Sequence, residues 1–444
     1  MGQQRKGKTL KRKHSLLVVA TTALLGASLV TPIATQAAIP SITIWVDSPR
    51  LPGAQLYAQV MKGKVNVNVQ LHGQADLVAK VQLFNTVKKG WPDVVFGPPN
   101  DVAFLKNPLV NDALQLDKLQ SPAVWKAFGH GNDWCNLGGH YYCVKNDLAQ
   151  TVLWYNKTLM SQFNYKVPTT MVEFAAIGAD VAKNHPGYSM GPLGDQATYS
   201  SFLESSQCPL NVAKSDTVVV INSKSPKCTR VSALLQPLVD SGVLDVRSPF
   251  DAGYIKDIQA GKWLMNVGPS WWGQFVLRPA SSYNVPAGQV ATAAMPTWAG
   301  ETKAYSGEYG GGIYTISPHS KYPKEALAFA MFMVADARNL VTVKNPDGSH
   351  GAPTYPAYGP GNKIWVKAVA KDSYYAQNIV PALDKQAQLI WPGTKPVRYD
   401  ANGAWGASFA PDLVQSKNLQ HAIDAYAAYT SNTATQVGYA VVSK

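Results

Sequence analysis

Short apolar segments alternate with amphipathic segments along the amino-terminal part of the chain. Residues 42–46, 65–71 and 93–96 have the short apolar or period-two pattern of strands. Residues 53–61 and 75–87 have the 3.6-residue spacing of helices. This alternation is typical of proteins in which helices pack on a sheet, so the sequence predicts an α/β fold.

Polar and aromatic residues follow two of the predicted strands. Trp45 and Asp47 stand at the end of the first strand, and Asn100 and Asp101 follow a Gly-Pro-Pro turn after the third. In open α/β sheets, ligands bind beyond the carboxyl ends of the strands. These four residues are therefore predicted to reach a ligand-binding cleft. The alternative is that they are ordinary loop residues.

The first residues have the pattern of an export signal. Basic residues without an acidic neighbour precede an apolar run over 16–30, and small residues then favour cleavage after Ala37 or Ala38. A retained anchor helix is the alternative, but about 15 apolar residues are fewer than the roughly 20 that span a bilayer. Residues 1–37 are therefore predicted to be a signal peptide. Its basic residues are Arg5, Lys6, Lys8, Lys11, Arg12 and Lys13.

Later segments are not predicted to cross a membrane. The most apolar candidate, residues 326–334, is short and flanked by charge, so it is predicted to be a helix facing the core. No cysteine precedes Cys135, so the cleavage site offers no residue for a lipid anchor. The protein is expected in the periplasm or at the extracellular face of the cytoplasmic membrane, without a lipid anchor.

The charge balance argues against a nucleic-acid partner. The chain has 40 Lys and Arg against 27 Asp and Glu, a net charge of +13, which falls to +7 without the predicted leader. The remaining lysines are scattered, whereas a nucleic-acid-binding protein concentrates its positive charge on one face. No nucleic-acid partner is expected.

Four cysteines in an exported chain favour disulfides over free thiols or a metal site. Neighbours in the sequence are the expected partners, so we predict that Cys135 bonds to Cys143 and Cys208 to Cys228. The Asn-Leu-Gly-Gly segment between the first two can turn tightly. Zinc is the alternative, but the spacings are not of the C-x-x-C type.

The length of the chain predicts more than one domain. About 407 residues remain after the predicted cleavage, which is too many for one hydrophobic core. The sequence has no internal repeat, no low-complexity tract and no long linker rich in Pro or Ser. Two domains joined without a linker are expected to be connected by more than one crossing of the chain.

An ordered set of segments resembles landmarks of the bacterial extracellular solute-binding proteins of the maltose-binding type, which serve ABC importers. The set covers roughly residues 41–340, and its order makes it specific. Its members are ITIW at 42–45, WPDVVFGP at 91–98, LWYNKTLM at 153–160, VPTTMVEF at 167–174, IQAGKWLM at 258–265, GPSWW at 268–272, GGGIYTIS at 310–317 and SKYPKEA at 320–326.

The resemblance implies a two-lobed periplasmic-binding-protein-like (Venus flytrap) fold with crossing hinge segments. It implies capture of a sugar or oligosaccharide between the lobes and delivery to the permease of an ABC transporter. We expect a monomer that is not an enzyme and uses no cofactor. The predicted N-terminal lobe comprises residues 39–150 and 313–345, and the predicted C-terminal lobe comprises residues 151–312 and 346–444.

Sugar sites combine an aromatic ring, which packs on the C–H face of the sugar, with polar side chains for the hydroxyl groups. By resemblance, the stacking aromatic of the family corresponds to Trp271 or Trp272. Two consecutive Trp residues cannot both point inward along a regular strand, so one is expected to pack in the core. Trp271 is the preferred ligand contact.

Further ligand-binding residues are predicted from the same resemblance. Gln196 and Tyr199 lie where the second lobe of the family offers a polar group and an aromatic ring. Glu308 and Tyr309 precede the glycine run where the chain is expected to recross between the lobes. Trp405 is similar to a late stacking Trp, but it lies in the last hundred residues, which resemble the family only in general.

Enzymatic alternatives have weaker support. Ser189 lies in a G-x-S-x-G pattern, but the strand and the helix that a nucleophilic serine requires are not predicted on either side of it. A glycosidase needs two facing carboxyl groups, and nothing in the sequence marks such a pair. No H-E-x-x-H or Walker lysine motif is present, so no catalytic or metal-binding residue is predicted.

Two alternatives therefore stay open. One is a secreted hydrolase, either a glycosidase or a serine esterase. The other is a protein of the same fold that binds another solute, such as a glycerophosphodiester. A phosphate-bearing ligand requires a cluster of Arg, Lys or helix amino termini, and the sequence shows no such cluster.

Overall fold

The computed structural model describes residues 38–73, 77–98, 112–344 and 354–444. The predicted signal peptide and the predicted lobe boundary at residue 345 lie outside these ranges. Residues Ile39–Lys444 belong to one unit. No helix within the described ranges is both long enough and apolar enough to cross a bilayer.

The described residues form alternating strands and helices, and the five elements predicted near the amino terminus are found within two residues of their expected limits. The strands are β1 Ser41–Val46, β2 Asn66–Leu71, β3 Val94–Gly97, β4 Asn136–Leu137, β5 His140–Tyr141, β6 Cys143–Lys145, β7 Thr151–Asn156, β8 Val212–Ala213, β9 Val218–Val220, β10 Met265–Pro269, β11 Val290–Ala293, β12 Ile313–Ile316 and β13 Ala440–Val442. The α-helices are α1 Leu51–Val60, α2 Leu77–Val87, α3 Pro122–Lys126, α4 Lys157–Gln162, α5 Met171–Asn184, α6 Gln196–Ser205, α7 Pro226–Asp240, α8 Ala252–Asp257, α9 Pro323–Ala335, α10 Gly359–Val369, α11 Val380–Ala387, α12 Ala401–Ala404, α13 Ala410–Ser416 and α14 Leu419–Gln436. A 3₁₀ segment spans Gly129–Cys135, and π-helical turns span Ile258–Lys262, Gly273–Leu277, Arg338–Thr342 and Trp405–Phe409.

The first sheet has the strand order β2-β1-β3-β12-β6. Strand β1 is parallel to β2 and β3, and β12 is antiparallel to β3 and β6. Ile42 and Ile44 face a core shared with α1 and α9, whereas Trp45 faces a second cluster under α2. Because helices cover both faces, β1 is apolar at most of its positions. We name the part built on this sheet the first lobe.

The second sheet has the strand order β10-β7-β11, with both outer strands antiparallel to β7. All six residues of β7 are buried. Leu153 and Tyr155 face one core, and Val152 and Trp154 face another. We name the part built on this sheet the second lobe. Helices thus pack on both sides of each central strand, and the α/β prediction is confirmed.

Neighbouring segments carry the chain between the two sheets. Residues 146–150 connect β6 to β7, and residues 307–312 lead back to β12. Residues 354–357 run beside them, and the N–H of Leu148 donates to the carbonyl of Tyr355 at 2.9 Å. Further backbone bonds join these three crossing segments to one another. The lobes therefore meet at a hydrogen-bonded set of crossings, as expected, although the predicted lobe limits stay predictions.

Both predicted disulfides are present. Cys135 bonds to Cys143 beside β6 in the first lobe. Cys208 bonds to Cys228 in the second lobe and ties the residues after α6 to the start of α7. The predicted core-facing helix is also found, because α9 buries Ala326, Phe329 and Met333.

Candidate ligand-binding site

A cavity of about 950 Å³ lies between the two lobes beside the crossing segments. Its volume is at the upper end of the roughly 300–1,000 Å³ of small-molecule sites. Both lobes and the crossing segments contribute to its wall. Its lining includes Asp47, Arg50, Phe96, Trp134, Asp147, Gln196, Ser200, Glu204, Trp271, Glu308, Tyr309, Trp391, Lys395, Asp400, Trp405 and Tyr426.

A buried arginine forms the first-lobe wall just after β1. The Arg50 guanidinium lies 3.3 Å from Asp47 Oδ2 and 3.7 Å from Asp147 Oδ1. It also lies 4.3 Å from the centre of the Phe96 ring. Two carboxylates and an aromatic face therefore neutralise and hold this cation, so its charge is already compensated before a ligand binds.

A second buried ion pair joins the first lobe to a crossing segment. Lys145, the last residue of β6, places its Nζ 3.0 Å from Glu308 Oε1, and both side chains are almost completely buried. The same ammonium lies 4.5 Å from the centre of the Trp134 ring. Trp134 is thus held by a cation–π contact from behind, while it lines the cavity.

The second lobe contacts Glu308 through a carboxyl group. The backbone N–H of Glu308 donates to Glu204 Oε2 at 2.8 Å. Burial raises the pKa of Glu204 to about 8; the Glu308 carboxylate acts in the same direction, and the hydrogen bond from its N–H opposes the shift. A carboxyl with this pKa is mostly protonated at neutral pH.

The two consecutive tryptophans have different surroundings. Strand β10 ends at Pro269, so neither tryptophan lies on a strand. Trp271 is partly exposed, lines the cavity and donates from Nε1 to the carbonyl of Tyr309 at 2.9 Å. Gly310 has φ +98°, and a Cβ there would lie 2.9 Å from Trp271 Nε1, so this close approach requires glycine. Trp272 has 0% exposure and packs in the core.

One face of α6 lines the cavity. Gln196, Ser200, Leu203 and Glu204 recur at helical spacing on this face. Asp195 caps the helix by accepting from the N–H of Ala197 at 2.8 Å. The helix therefore presents mainly polar groups to the cavity.

A π-helical turn carries the late tryptophan. Trp405 begins this turn, stacks on Phe409 with ring centres 3.8 Å apart, and lines the cavity with 3% exposure. Just before it, Asn402 Oδ1 accepts from the Tyr309 hydroxyl at 2.9 Å. Burial raises the pKa of Tyr309, with the nearby carboxylates adding to the shift, so its hydroxyl stays a donor at physiological pH. This bond links the crossing segment to the second lobe.

The structure brings six of the eleven predicted ligand-binding residues to the cavity. They are Asp47, Gln196, Trp271, Glu308, Tyr309 and Trp405. Whether they contact a ligand stays a prediction. Asn100 and Asp101 lie outside the described residues, although Pro98, just before them, lines the cavity.

Three predicted residues lie in the hydrophobic cores instead. Trp45 has 7% exposure, stacks on His72 and donates to Gln70, because odd positions of β1 face α2 and not the cavity. Tyr199 has 0% exposure and stacks on Phe409, because its side chain is turned about 100° around the α6 axis from Ser200 and packs into the second-lobe core. Trp272 packs against Tyr283. Each has a packing role in this structure.

Four other residues that line the cavity are not predicted from the sequence. Trp134 and Trp391 are partly exposed tryptophans at the cavity, and Arg50 and Glu204 supply charged or titratable groups. Trp391 precedes Pro392 and Gly393, so an aromatic residue before a Pro-Gly turn was an available signal. No local pattern marks the other three, since long-range folding brings them to the cavity.

Catalytic geometry is not found at the serine of the G-x-S-x-G pattern. Ser189 is buried, its Oγ lies 2.9 Å from the hydroxyl of Tyr254, and it accepts from the N–H of Gly191. Ser189 is not part of the cavity wall. In the described ranges no group of three His, Cys, Asp or Glu side chains is placed to hold a metal ion.

Comparison with known proteins gives matches in structure. No protein-family model and no curated protein matches the chain. Solved structures of ABC-transporter sugar-binding proteins match nearly the whole chain. The galacto-N-biose/lacto-N-biose I-binding protein of Bifidobacterium longum, in complex with lacto-N-biose, has a TM-score of 0.71 and 16% identity, covering 91% of this chain and 99% of its own.

Two further solved structures of sugar-binding proteins match the chain to a similar extent. The GacH receptor of Streptomyces glaucescens, solved without ligand and with acarbose, has a TM-score of 0.67 and 18% identity over 90% of this chain and 100% of its own. The chain has the solute-binding-protein fold. A cyclic α-maltosyl-1,6-maltose-binding protein of Arthrobacter globiformis has a TM-score of 0.66 and 14% identity over 90% of this chain and 100% of its own. The two-lobed solute-binding-protein fold predicted from the sequence is therefore confirmed, and the three structures named above are of sugar-binding proteins.

Proposed function

We propose that this protein is an extracytoplasmic carbohydrate-binding protein that captures an oligosaccharide between its lobes and delivers it to the permease of an ABC transporter. The lobes correspond to residues 39–150 with 313–345 and to residues 151–312 with 346–444. Ligand contacts from both lobes favour the closed form, which is the form that a permease would recognise.

The observation that carries the proposal is a set of partly exposed tryptophans around one cavity. Trp134 comes from the first lobe, whereas Trp271 and Trp391 come from the second-lobe side, and all three line the cavity. Indole faces match the apolar C–H faces of pyranose rings, and the polar lining groups match hydroxyl groups. The cavity volume of about 950 Å³ favours an oligosaccharide over a single sugar residue.

The charged side chains that line the cavity favour an uncharged ligand. The described lining contains the carboxylates of Asp47, Asp147 and Asp400, the Glu308 carboxylate that Lys145 neutralises, and the mostly protonated Glu204. Its cations are Arg50, which two carboxylates neutralise, and the exposed Lys395. A phosphate diester or a uronic acid would meet excess negative charge, so this lining disfavours the glycerophosphodiester alternative.

The structural relatives support the same ligand class. The ligands in their solved structures include lacto-N-biose, acarbose and β-1,6-galactobiose. Because this chain shares their fold and has an aromatic-lined cavity between its lobes, we propose that it is a monomeric binding protein without catalytic activity. Export without a lipid anchor is part of the same proposal.

A thermal-shift screen tests this function. The purified chain is heated with lacto-N-biose, β-1,6-galactobiose, mannotriose, maltotriose and, as an anionic control, glycerophosphoglycerol. A ligand that binds only the folded state adds about 2.7 kcal/mol at a hundred times its dissociation constant. We expect at least one neutral sugar to raise the melting temperature and the anionic control to leave it unchanged. Stabilisation by glycerophosphoglycerol alone would contradict the proposal.

A further inference from the structure

The part of the cavity against α6 differs from the tryptophan-lined part. Gln196, Ser200 and Glu204 occur four residues apart on one helix face and point to the cavity. Gly307 lets Glu204 approach the crossing segment, since a Cβ at 307 would lie 2.4 Å from Glu204 Oε2. We name Gln196, Ser200, Glu204 and Trp405 the α6 subsite.

Three buried polar atoms in this subsite, Gln196 Oε1, Ser200 Oγ and Trp405 Nε1, have no hydrogen-bond partner among the described residues. Ser200 has 5% exposure and Trp405 has 3%, and both line the cavity. A buried polar atom without a partner costs about 1–3 kcal/mol. Because the indole N–H can only donate, the subsite offers at least one donor to a ligand oxygen.

Glu204 lies beside these atoms without an ion-pair partner in the described part of the chain. The Lys145 ammonium group pairs with Glu308 at 3.0 Å and not with Glu204. The contact recorded for the Glu204 carboxyl is the bond from the Glu308 N–H to Oε2. A second carboxylate next to an unpaired, desolvated carboxyl favours the neutral acid.

The groups that face Glu204 agree with this state. Glu308 and, behind it, Lys145 face it from the crossing segment and β6, and their charges offset each other. The hydroxyls of Tyr309 and Tyr426 face it from the crossing segment and α14, and burial raises both of their pKa values, with the Glu204 charge contributing. These groups leave no net positive charge that would hold Glu204 ionised.

We infer that the α6 subsite binds the terminal residue of an uncharged oligosaccharide, and that Glu204 acts there as a protonated acid that donates a hydrogen bond to a ligand oxygen. The inference rests on the proposed sugar-binding function. In this arrangement one Glu204 oxygen accepts from the Glu308 N–H, and the O–H of the other points to the ligand. Ser200 and Trp405 supply further polar contacts to the same sugar residue.

The first test needs no ligand and compares wild type with Glu204→Gln and with Asp216→Asn, an exposed control. The folded pKa of Glu204, about 8, lies above its ordinary value of 4.5. Glu204 therefore contributes stability that is fully present below about pH 4.5 and is lost as pH rises to about 8. Relative to Glu204→Gln, wild type should lose stability across this window in chemical denaturation. Asp216→Asn should follow wild type.

The second test measures affinity by calorimetry between pH 6 and 9.5, with the neutral sugar from the panel that binds best. Wild-type affinity should fall about tenfold per pH unit above the Glu204 pKa, and binding at pH 9 should take up a proton, which two buffers of different ionisation enthalpy reveal. Glu204→Gln keeps a donor, so its affinity should not vary with pH. Glu204→Ala should lose at least tenfold in affinity at pH 6.

The outcomes are distinct. If the stability difference between wild type and Glu204→Gln does not change from pH 4.5 to 9, the inference that Glu204 is protonated in the folded protein is wrong. Loss of binding in Glu204→Gln at every pH means that an ionised carboxylate is needed, and also overturns it. If no sugar of the panel binds, the proposed function and its sugar subsite fail, whereas the stability test still decides the protonation state.

Discussion

Lys145 and Glu308 form an ion pair of 3.0 Å in which both side chains are almost completely buried. One partner ends a strand of the first lobe, and the other lies on the crossing segment that leads back to this lobe. A buried pair of this kind holds the crossing segment in one position relative to the sheet. It also holds Trp134, whose ring lies against the same ammonium group.

Removing one partner of this pair should destabilise the fold. Lys145→Met leaves a buried carboxylate without its cation and should lower the free energy of unfolding by about 3–5 kcal/mol. Urea denaturation followed by fluorescence measures the loss. The double variant Lys145→Met/Glu308→Leu should recover part of it, because no uncompensated charge remains. Equal stability of wild type and Lys145→Met would show that the pair does not form.

Trp271→Ala should weaken sugar binding by roughly 1–3 kcal/mol, because truncating an aromatic anchor in a binding site removes its contact with the sugar ring. The melting temperature without ligand should change little, since Trp271 is partly exposed. Titration calorimetry with the best sugar of the panel measures the affinity.

Trp272→Ala is the matched control for this substitution. Trp272 is fully buried, so its truncation should cost about 3–5 kcal/mol of folding stability. Binding by the fraction that folds should stay near the wild-type value. If Trp271→Ala binds normally and Trp272→Ala loses affinity, then Trp272 and not Trp271 stacks on the sugar. If both variants bind normally, the ligand binds elsewhere.

Replacing the disulfides by serine pairs should have unequal effects. Loop entropy predicts a loss of about 3 kcal/mol for the bond between Cys208 and Cys228, and slightly less for the shorter loop between Cys135 and Cys143. Cys208 also lines the cavity, so the Cys208→Ser/Cys228→Ser variant alone should weaken sugar binding. Denaturation and calorimetry on both pairs check this. Equal losses of sugar affinity in the two variants would show that the bond between Cys208 and Cys228 has no specific effect on the cavity.

The purified protein should hydrolyse neither esters nor glycosides. The Ser189 hydroxyl is engaged by Tyr254 and by the N–H of Gly191. Assays with nitrophenyl esters and nitrophenyl glycosides should give no turnover above buffer, and Ser189→Ala should leave sugar binding unaltered. A turnover that persists through repurification and disappears in Ser189→Ala would establish a hydrolase.

The sequence predicted the fold well because the fold depends on local periodicity. The strands β1, β2 and β3 and the helices between them follow apolar patterns that sheet and helix geometry impose. Cysteine pairing was also predictable, since each bond joins neighbours in the sequence. These features need little knowledge of distant contacts.

The site was less predictable because side-chain direction depends on which faces the lobes bury. Trp45 is two positions from Asp47 and Tyr199 is one position from Ser200, yet both side chains pack in a hydrophobic core while their neighbours line the cavity. Trp134 contacts Lys145 across the loop that precedes β6, and Glu204 contacts Glu308, which is 104 residues away in the sequence. A single sequence carries no local signal for such contacts.

The strand order of the two central sheets determines when each of them can be completed as the chain is synthesised. The second sheet uses only residues between Thr151 and Ala293, so it can close once that continuous stretch has emerged. In the first sheet, β12 inserts between β3 and β6, although it follows them by more than a hundred residues. Until β12 arrives, β3 and β6 present unpaired backbone edges, which are the kind of surface that aggregates or binds chaperones. Of the two central sheets, that of the first lobe, although its first strands are synthesised earlier, is therefore completed later.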